Sequence, residues 1–196
     1  MRAALALVLA LWALATAAAP AAAAGETAIE YLTPALAESR LGLAPGARPY
    51  QRRFAFSIGA GELGGQRQYL LRGAYCPRSG LAWEATVAHN PASSVHALFH
   101  DFGLVLRRPL PWRLQPYLTA SYGMMIAFPG GALLADSVTR NVLSAGGGLE
   151  LFIRDDLALR LDARGRRVLH PEDGETLVYD YADYSAGFVF YRSLAR

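Results

Sequence analysis

Along most of this chain apolar and polar residues alternate with a period of two. Phe54, Phe56, Ile58 and Ala60 interleave with Ala55, Ser57, Gly59 and Gly61. Farther on, Leu157, Leu159, Leu161, Ala163 and Gly165 interleave with Ala158, Arg160, Asp162, Arg164 and Arg166. That period sends successive side chains to opposite faces of a β-strand, one face apolar and the other small or charged. Its repetition predicts eight strands, at about 52–61, 67–76, 80–89, 97–107, 112–126, 139–153, 156–168 and 178–191. The pattern before Arg52 is different. Ile29, Leu32, Leu36 and Leu43 could line one face of a short helix limited by Pro34, Pro45 and Pro49, which predicts an N-terminal arm over 25–51. Residues 3–18 are apolar apart from Thr16, follow Met1-Arg2, and lead to the small residues Ala22-Ala23-Ala24. This is the make-up of a secretory signal cleaved after Ala24. The expected organisation is therefore a signal (1–24), a periplasmic arm (25–51) and a β domain (52–196).

Strands of about ten residues suit either a soluble sandwich or lipocalin-like barrel, or a barrel in lipid. Apart from the first, at 62–66, the predicted connections alternate: 77–79, 108–111 and 154–155 are tight, whereas 90–96, 127–138 and 169–177 are long. Short turns on one side and longer loops on the other are the pattern of transmembrane β-barrels. Aromatic residues fall near both ends of the strands: Phe54, Trp83, Trp112 and Phe190 at one, Tyr69, Phe99, Phe128 and Tyr179 at the other. Two interfacial girdles would be distributed in this way. After the signal, the longest mostly apolar stretch, Gly123 to Ala135, is broken by Pro129 and two glycines and is too short for a transmembrane helix.

Composition narrows the function classes. The chain is 53% hydrophobic and 18% charged, with a formal net charge of +3 in which every basic residue is Arg. The arginines are spread along the sequence and balanced by 16 acidic residues, so no basic face for nucleic acid is expected. The apolar content excludes disorder, and the single Cys76 excludes an intramolecular disulfide or a Cys-based zinc cluster.

A barrel places the charged face inward, and its register can be argued because a one-residue slip would send polar side chains into lipid. Around the turn at 154–156, setting Ile153 opposite Leu157 places Glu150 against Arg160, Gly148 against Asp162 and Gly146 against Arg164. The glycines would leave room for long charged side chains. Around the turn at 76–80, setting Tyr75 opposite Leu81 places Arg72 against Glu84. Asp101 and Asp183 share the same face, so a lumen network of Arg72, Glu84, Asp101, Glu150, Arg160, Asp162, Arg164 and Asp183 is expected. Eight strands enclose an interior that side chains can fill. The expected lumen is ion-paired and plugged.

The stretches Leu114-Gln115-Pro116-Tyr117-Leu118-Thr119-Ala120-Ser121-Tyr122-Gly123, Gly146-Gly147-Gly148-Leu149-Glu150, Leu159-Arg160-Leu161-Asp162-Ala163-Arg164 and Tyr184-Ser185-Ala186-Gly187-Phe188-Val189-Phe190 resemble small Gram-negative outer membrane β-barrels, of the type found as the membrane domain of outer membrane protein A. The resemblance spans about 52–191. It implies an all-β, eight-stranded antiparallel up-and-down barrel in the outer membrane with both termini in the periplasm. It also implies contact with outer membrane lipids and lipopolysaccharide, handling by the outer membrane assembly machinery, and a monomer. Such barrels commonly end on an aromatic residue recognised during assembly, whereas Phe190-Tyr191 is here followed by Arg192 to Arg196.

Candidate chemistry is sparse. His89, His96, His100 and His170 all fall near the predicted outer rim. On a strand His96 and His100 would share a face but stand about 13 Å apart, too far for one metal. Cys76 lies in a turn without an activating partner. Another eight-stranded barrel type, the lipid A deacylase, carries its hydrolytic His and Ser in a His-x-Ser-Asn motif. The comparable stretch is His170-Pro171-Glu172-Asp173, with Glu where the nucleophilic hydroxyl belongs. Glu175 and Ser93-Ser94 are the other groups that could serve a different arrangement. The expectation is a non-enzymatic barrel without cofactor or metal, whose outer loops, especially Phe128 to Val138, make its contacts. A lipid-modifying enzyme and a narrow pore are the alternatives.

Overall fold

A computed structural model of the protein describes residues 50, 52, 54–92, 95–129, 137–172 and 175–193. The expected signal and nearly all of the arm lie outside the described residues, as do positions 130–136 of the expected contact loop. The remainder forms eight antiparallel strands closed into one barrel: β1 (Phe54–Leu63), β2 (Gln66–Arg78), β3 (Leu81–Pro91), β4 (Val95–Arg107), β5 (Leu114–Pro129), β6 (Val138–Arg154), β7 (Leu157–Glu172) and β8 (Glu175–Arg192). Closure is made by β1 and β8, which pair from Phe54↔Arg192 to Leu63↔Asp183. A closed ladder leaves no strand edge along the paired wall, a condition a sheet must meet to stand in hydrocarbon. The end holding the start of β1 and the finish of β8 is termed proximal, and the opposite end distal.

The alternation read from sequence is realised with inverted polarity. Phe56 is 52% and Phe102 57% exposed, whereas Arg160 is 1% exposed and Arg166 and Asp183 are wholly buried. A soluble domain buries its apolar face. Here the apolar face is outside and the charged face is the core. Glu62 and Arg67 stand at the distal rim of the β1–β2 hairpin, and farther out on the longer β7–β8 hairpin Arg167 Nε meets Asp180 Oδ1 at 2.8 Å; the other exposed ion pairs among the described residues, Arg52 with Asp155 and Asp156 and Arg154 with Asp156, lie at the proximal end. Phe54, Trp83, Trp112 and Phe190 are exposed toward the proximal end, and Tyr69 and Tyr179 toward the distal end. Phe99 departs from the expected girdle. It faces inward, buried beneath the Arg166 guanidinium at 4.8 Å from its ring centre, because it shares the parity of the lumen residue Asp101.

Two expected registers change. Glu150↔Arg160, Gly148↔Asp162 and Gly146↔Arg164 are paired, but a bulge beyond Phe152 sets Arg154, not Ile153, opposite Leu157. In the β2–β3 hairpin, Tyr75 pairs with Trp83 instead of Leu81, and Ala74 with Glu84, so Arg72 faces Thr86. An irregularity between Tyr75 and Arg78 absorbs the offset, and a shift of two residues keeps every side chain on its face. The long connections also contract. β7 runs to Glu172 and β8 begins at Glu175, so most of 169–177 is strand, while the longer proximal connection lies between Arg107 and Leu114. The alternation of loop lengths is therefore weaker than the sequence suggested. Polarity identifies the fold better.

At the distal β1–β2 turn, Gly64 and Gly65 have φ of +56° and +86°. Two consecutive positive values are the requirement of a two-residue hairpin that follows the strand twist.

Candidate functional site

Among the described residues the lumen gathers eleven buried charged side chains, from six strands and the β4–β5 connection. Arg72, Arg107, Arg113, Arg160, Arg164 and Arg166 face Glu84, Asp101, Glu150, Asp162 and Asp183. All eight residues expected on sequence grounds lie there.

At the centre, Glu84 of β3 receives a bidentate contact from Arg160 of β7, at 2.6 and 3.2 Å, and a third from Arg164 at 3.1 Å. Asp162 accepts from Arg164 at 2.9 Å and from Arg72 Nη1 at 2.8 Å. Arg72 also donates to Ser185 Oγ at 3.1 Å. Tyr117 joins the cluster, donating to Asp162 Oδ1 at 2.5 Å and accepting from Arg160 Nε at 2.8 Å, with the Arg160 guanidinium 4.5 Å above its ring centre. Buried charges persist when paired and hydrogen-bonded, and this cluster shares each carboxylate among several guanidinium groups.

The partners differ from those that register alone would choose. Arg160 is opposite Glu150 on the adjacent strand, yet their closest approach is 3.7 Å, against 2.6 Å to Glu84 across the lumen. Arg72 reaches Glu84 only diagonally, at 4.0 Å. An arginine is long enough to cross a narrow barrel, so the network spans the lumen in preference to running along its wall. Gly148 makes room for Tyr117: a Cβ there would meet the Tyr117 hydroxyl. The space beside the glycines is thus taken in part by an aromatic ring from β5.

A distal cluster is built on Arg166, which contacts Asp183 at 2.7 Å and Asp101 at 2.8 Å, while Gln68 Nε2 donates to the other Asp183 oxygen. A proximal cluster is built on Glu150, which accepts from Tyr191 Oη at 2.7 Å and from Arg107 Nη2 at 3.4 Å. Arg107 also lies 3.5 Å from the Cys76 sulfur. Tyr50, the last described residue of the arm, caps this cluster. Its ring stands edge-on to Phe152 and Tyr191, with centres 5.3 and 5.7 Å away, and Arg107 stacks 4.5 Å from its own centre. Burial pushes the Tyr50 hydroxyl well above the ordinary tyrosine range. Tyr50 has φ of +62°, a conformation costly for a bulky residue, which its packing must offset.

Arg107, Arg113, Arg166, Gln68, Tyr117 and Tyr191 are members that the expected network omitted. Parity would have found most of them: Arg107 shares the face of Asp101, Arg166 that of Arg164, and Arg113 that of Gln115 and Tyr117.

The histidines stand apart from the lumen centre. His89 and His96 stack with ring centres 5.7 Å apart toward the distal rim. Arg140 Nε donates to His170 Nδ1, and Tyr179 meets that ring edge-on at 6.3 Å. Among the described residues no three metal-ligating side chains gather.

No family model and no curated protein matches the sequence. Solved structures do. The N-terminal β-barrel domain of Pseudomonas aeruginosa OprF superposes with a TM-score of 0.58 at 10% identity, over 74% of this chain and 98% of that one. Neisserial surface protein A superposes with a TM-score of 0.53 at 12% identity, over 71% of this chain and 95% of that one. This chain has the fold of the small eight-stranded outer membrane β-barrels. Their likeness is one of architecture.

Proposed function

We propose that the protein is a non-conducting outer membrane barrel whose role is structural or surface-interactive, without catalysis of its own. The observation that carries this reading is that buried ion pairs occupy the lumen at three successive levels. Arg166 with Asp101 and Asp183 occupies the distal part, Glu84 and Asp162 with three arginines the centre, and Glu150 with Arg107 and Tyr191 the proximal part. An interior locked by long arginines supports a mechanical anchor better than a path for solutes. The apolar exterior supports outer membrane lipids as its surroundings, and Arg167–Asp180 is suited to the headgroup level at the distal side. The β7–β8 hairpin rises beyond the β1 edge with Leu177, Val178, Tyr179 and Tyr181 exposed, which supports contacts made at the distal surface.

Lipid A hydrolysis is the less favoured reading because position 172 is Glu where that mechanism requires a serine hydroxyl. Two measurements test the proposal together. In planar bilayers the full chain is expected to give no single-channel steps, and lipid A from cells with and without the protein is expected to have the same acyl pattern by mass spectrometry. Reproducible conductance or a lost acyl chain would replace the proposal with a pore or an enzyme.

A further inference from the structure

Among the described residues the lumen holds six arginines and five carboxylates, and every one of these carboxylates already contacts an arginine. The surplus falls on Arg113. It is 4% exposed, makes no ion pair among the described residues, and has both Nε and Nη2 buried without an acceptor. Its surroundings at the proximal end supply no free carboxylate among the described residues: Glu150 is taken by Arg107, and the unused Tyr50 hydroxyl of the cap is neutral. Its own carbonyl accepts from the Phe152 N–H at 2.9 Å, tying it to the aromatic cap of Phe152, Tyr191 and Tyr50. The nearby amide of Gln115 is used by the backbone of Leu110 and Trp112. Arg107, the neighbouring member of the proximal cluster, has its own Nε buried and unpartnered. The unused polar atoms of these two arginines are all donors.

A guanidinium does not escape burial by losing its proton, and an uncompensated buried charge is strongly unfavourable. The missing component is therefore negative. We propose that Arg113 binds a small inorganic anion of halide size at the proximal end of the lumen, completing the charge balance of the barrel. A single surplus charge calls for a monovalent ion. The alternative acceptor is a carboxylate of the chain itself from the segment before Tyr50, where Glu26, Glu30 and Glu38 lie.

The full chain folded in neutral detergent provides the test. Its melting temperature is followed at constant ionic strength as chloride replaces gluconate, which is too large to enter. A ligand that binds only the folded state raises the melting temperature along a single-site curve. The wild type is expected to gain several degrees and then to rise with log chloride concentration. Arg113→Met is expected to show no chloride-specific gain and to melt at or above the wild type in gluconate, because the unpaired charge has gone. Glu26→Gln/Glu30→Gln/Glu38→Gln is expected to respond to chloride as the wild type does. No anion-specific gain in the wild type, a gain retained by Arg113→Met, or a response acquired only by the triple variant would each overturn the proposal. Should Arg113→Met fail to fold, anomalous scattering from bromide in wild-type crystals decides. A bromide within contact of the Arg113 guanidinium supports the site, and bromides confined to the exterior, an adventitious ion only, reject it.

Discussion

The central carboxylates of the lumen are each shared by several arginines, so the two halves of an ion pair are not equivalent to remove. Glu84 receives Arg160 and Arg164 directly and Arg72 at the limit of contact. Glu84→Gln would leave three buried guanidinium groups to share Asp162, with Glu150 reached only by Arg160 at 3.7 Å, a loss of about 3 to 5 kcal/mol in unfolding free energy. Tyr117→Phe removes a hydroxyl that both donates to Asp162 and accepts from Arg160, while the ring still fills the space above Gly148. Its expected cost is smaller, about 1 to 3 kcal/mol. Urea unfolding from lipid vesicles, followed by tryptophan fluorescence, would order the two. If Tyr117→Phe proved the more damaging, the carboxylate-centred account of the cluster would be wrong. Residue identity and face were legible in the sequence because parity is local information. Pairing was not: nothing in the spacing of Glu84 and Arg160 reports that an arginine crosses the lumen to a strand four positions away around the barrel.

At the scale of the strand pair, the β6–β7 register was legible because Glu150, Gly148 and Gly146 alternate opposite Arg160, Asp162 and Arg164, leaving one arrangement that buries all the charge. The β2–β3 register was not. A two-residue shift preserves the faces, and the irregularity between Tyr75 and Arg78 that selects between the alternatives lies in the turn, where periodicity is silent. Cysteine crosslinking distinguishes the two registers on the exterior, away from the ion pairs. In a Cys76→Ser background, Gly73→Cys with Ala85→Cys should form a disulfide under mild oxidation, because these residues are directly opposite. Gly73→Cys with Trp83→Cys should not, since a diagonal separation of roughly 7 to 8 Å exceeds disulfide geometry. Efficient crosslinking of the second pair alone would restore the register with Arg72 opposite Glu84. In the distal turn, Gly64 has φ of +56° and its Cβ position lies 2.9 Å from the Tyr181 ring. Gly64→Val is therefore expected to slow folding and lower the urea midpoint, whereas Gly65→Asn, whose Cβ meets nothing within 4 Å and whose side chain tolerates positive φ, should be near neutral.

For the whole molecule, two systems hold the barrel together and they can be separated. The wall is a closed backbone ladder that depends little on any one side chain, and the lumen is a set of cross-struts that depend on particular charges. Replacing Glu84 and Arg160 together, as Glu84→Ala/Arg160→Ala, removes the strongest strut while leaving the lumen's net charge unchanged. Arg72 and Arg164 keep Asp162, and Arg107 keeps Glu150. The double variant should therefore remain folded, seen as a mobility difference between unboiled and boiled samples on electrophoresis. Its two truncations open space at mid-lumen where Arg160 and Glu84 now meet at 2.6 Å. Planar bilayers are expected to show small, cation-and-anion-permeable steps for the double variant and none for the wild type. A folded double variant that stays electrically silent would mean that the distal struts on Arg166 or the proximal cap on Tyr50 seal the barrel independently. The further substitution Tyr50→Ala would then locate the seal, because it removes the aromatic lid from the proximal cluster without touching a charge.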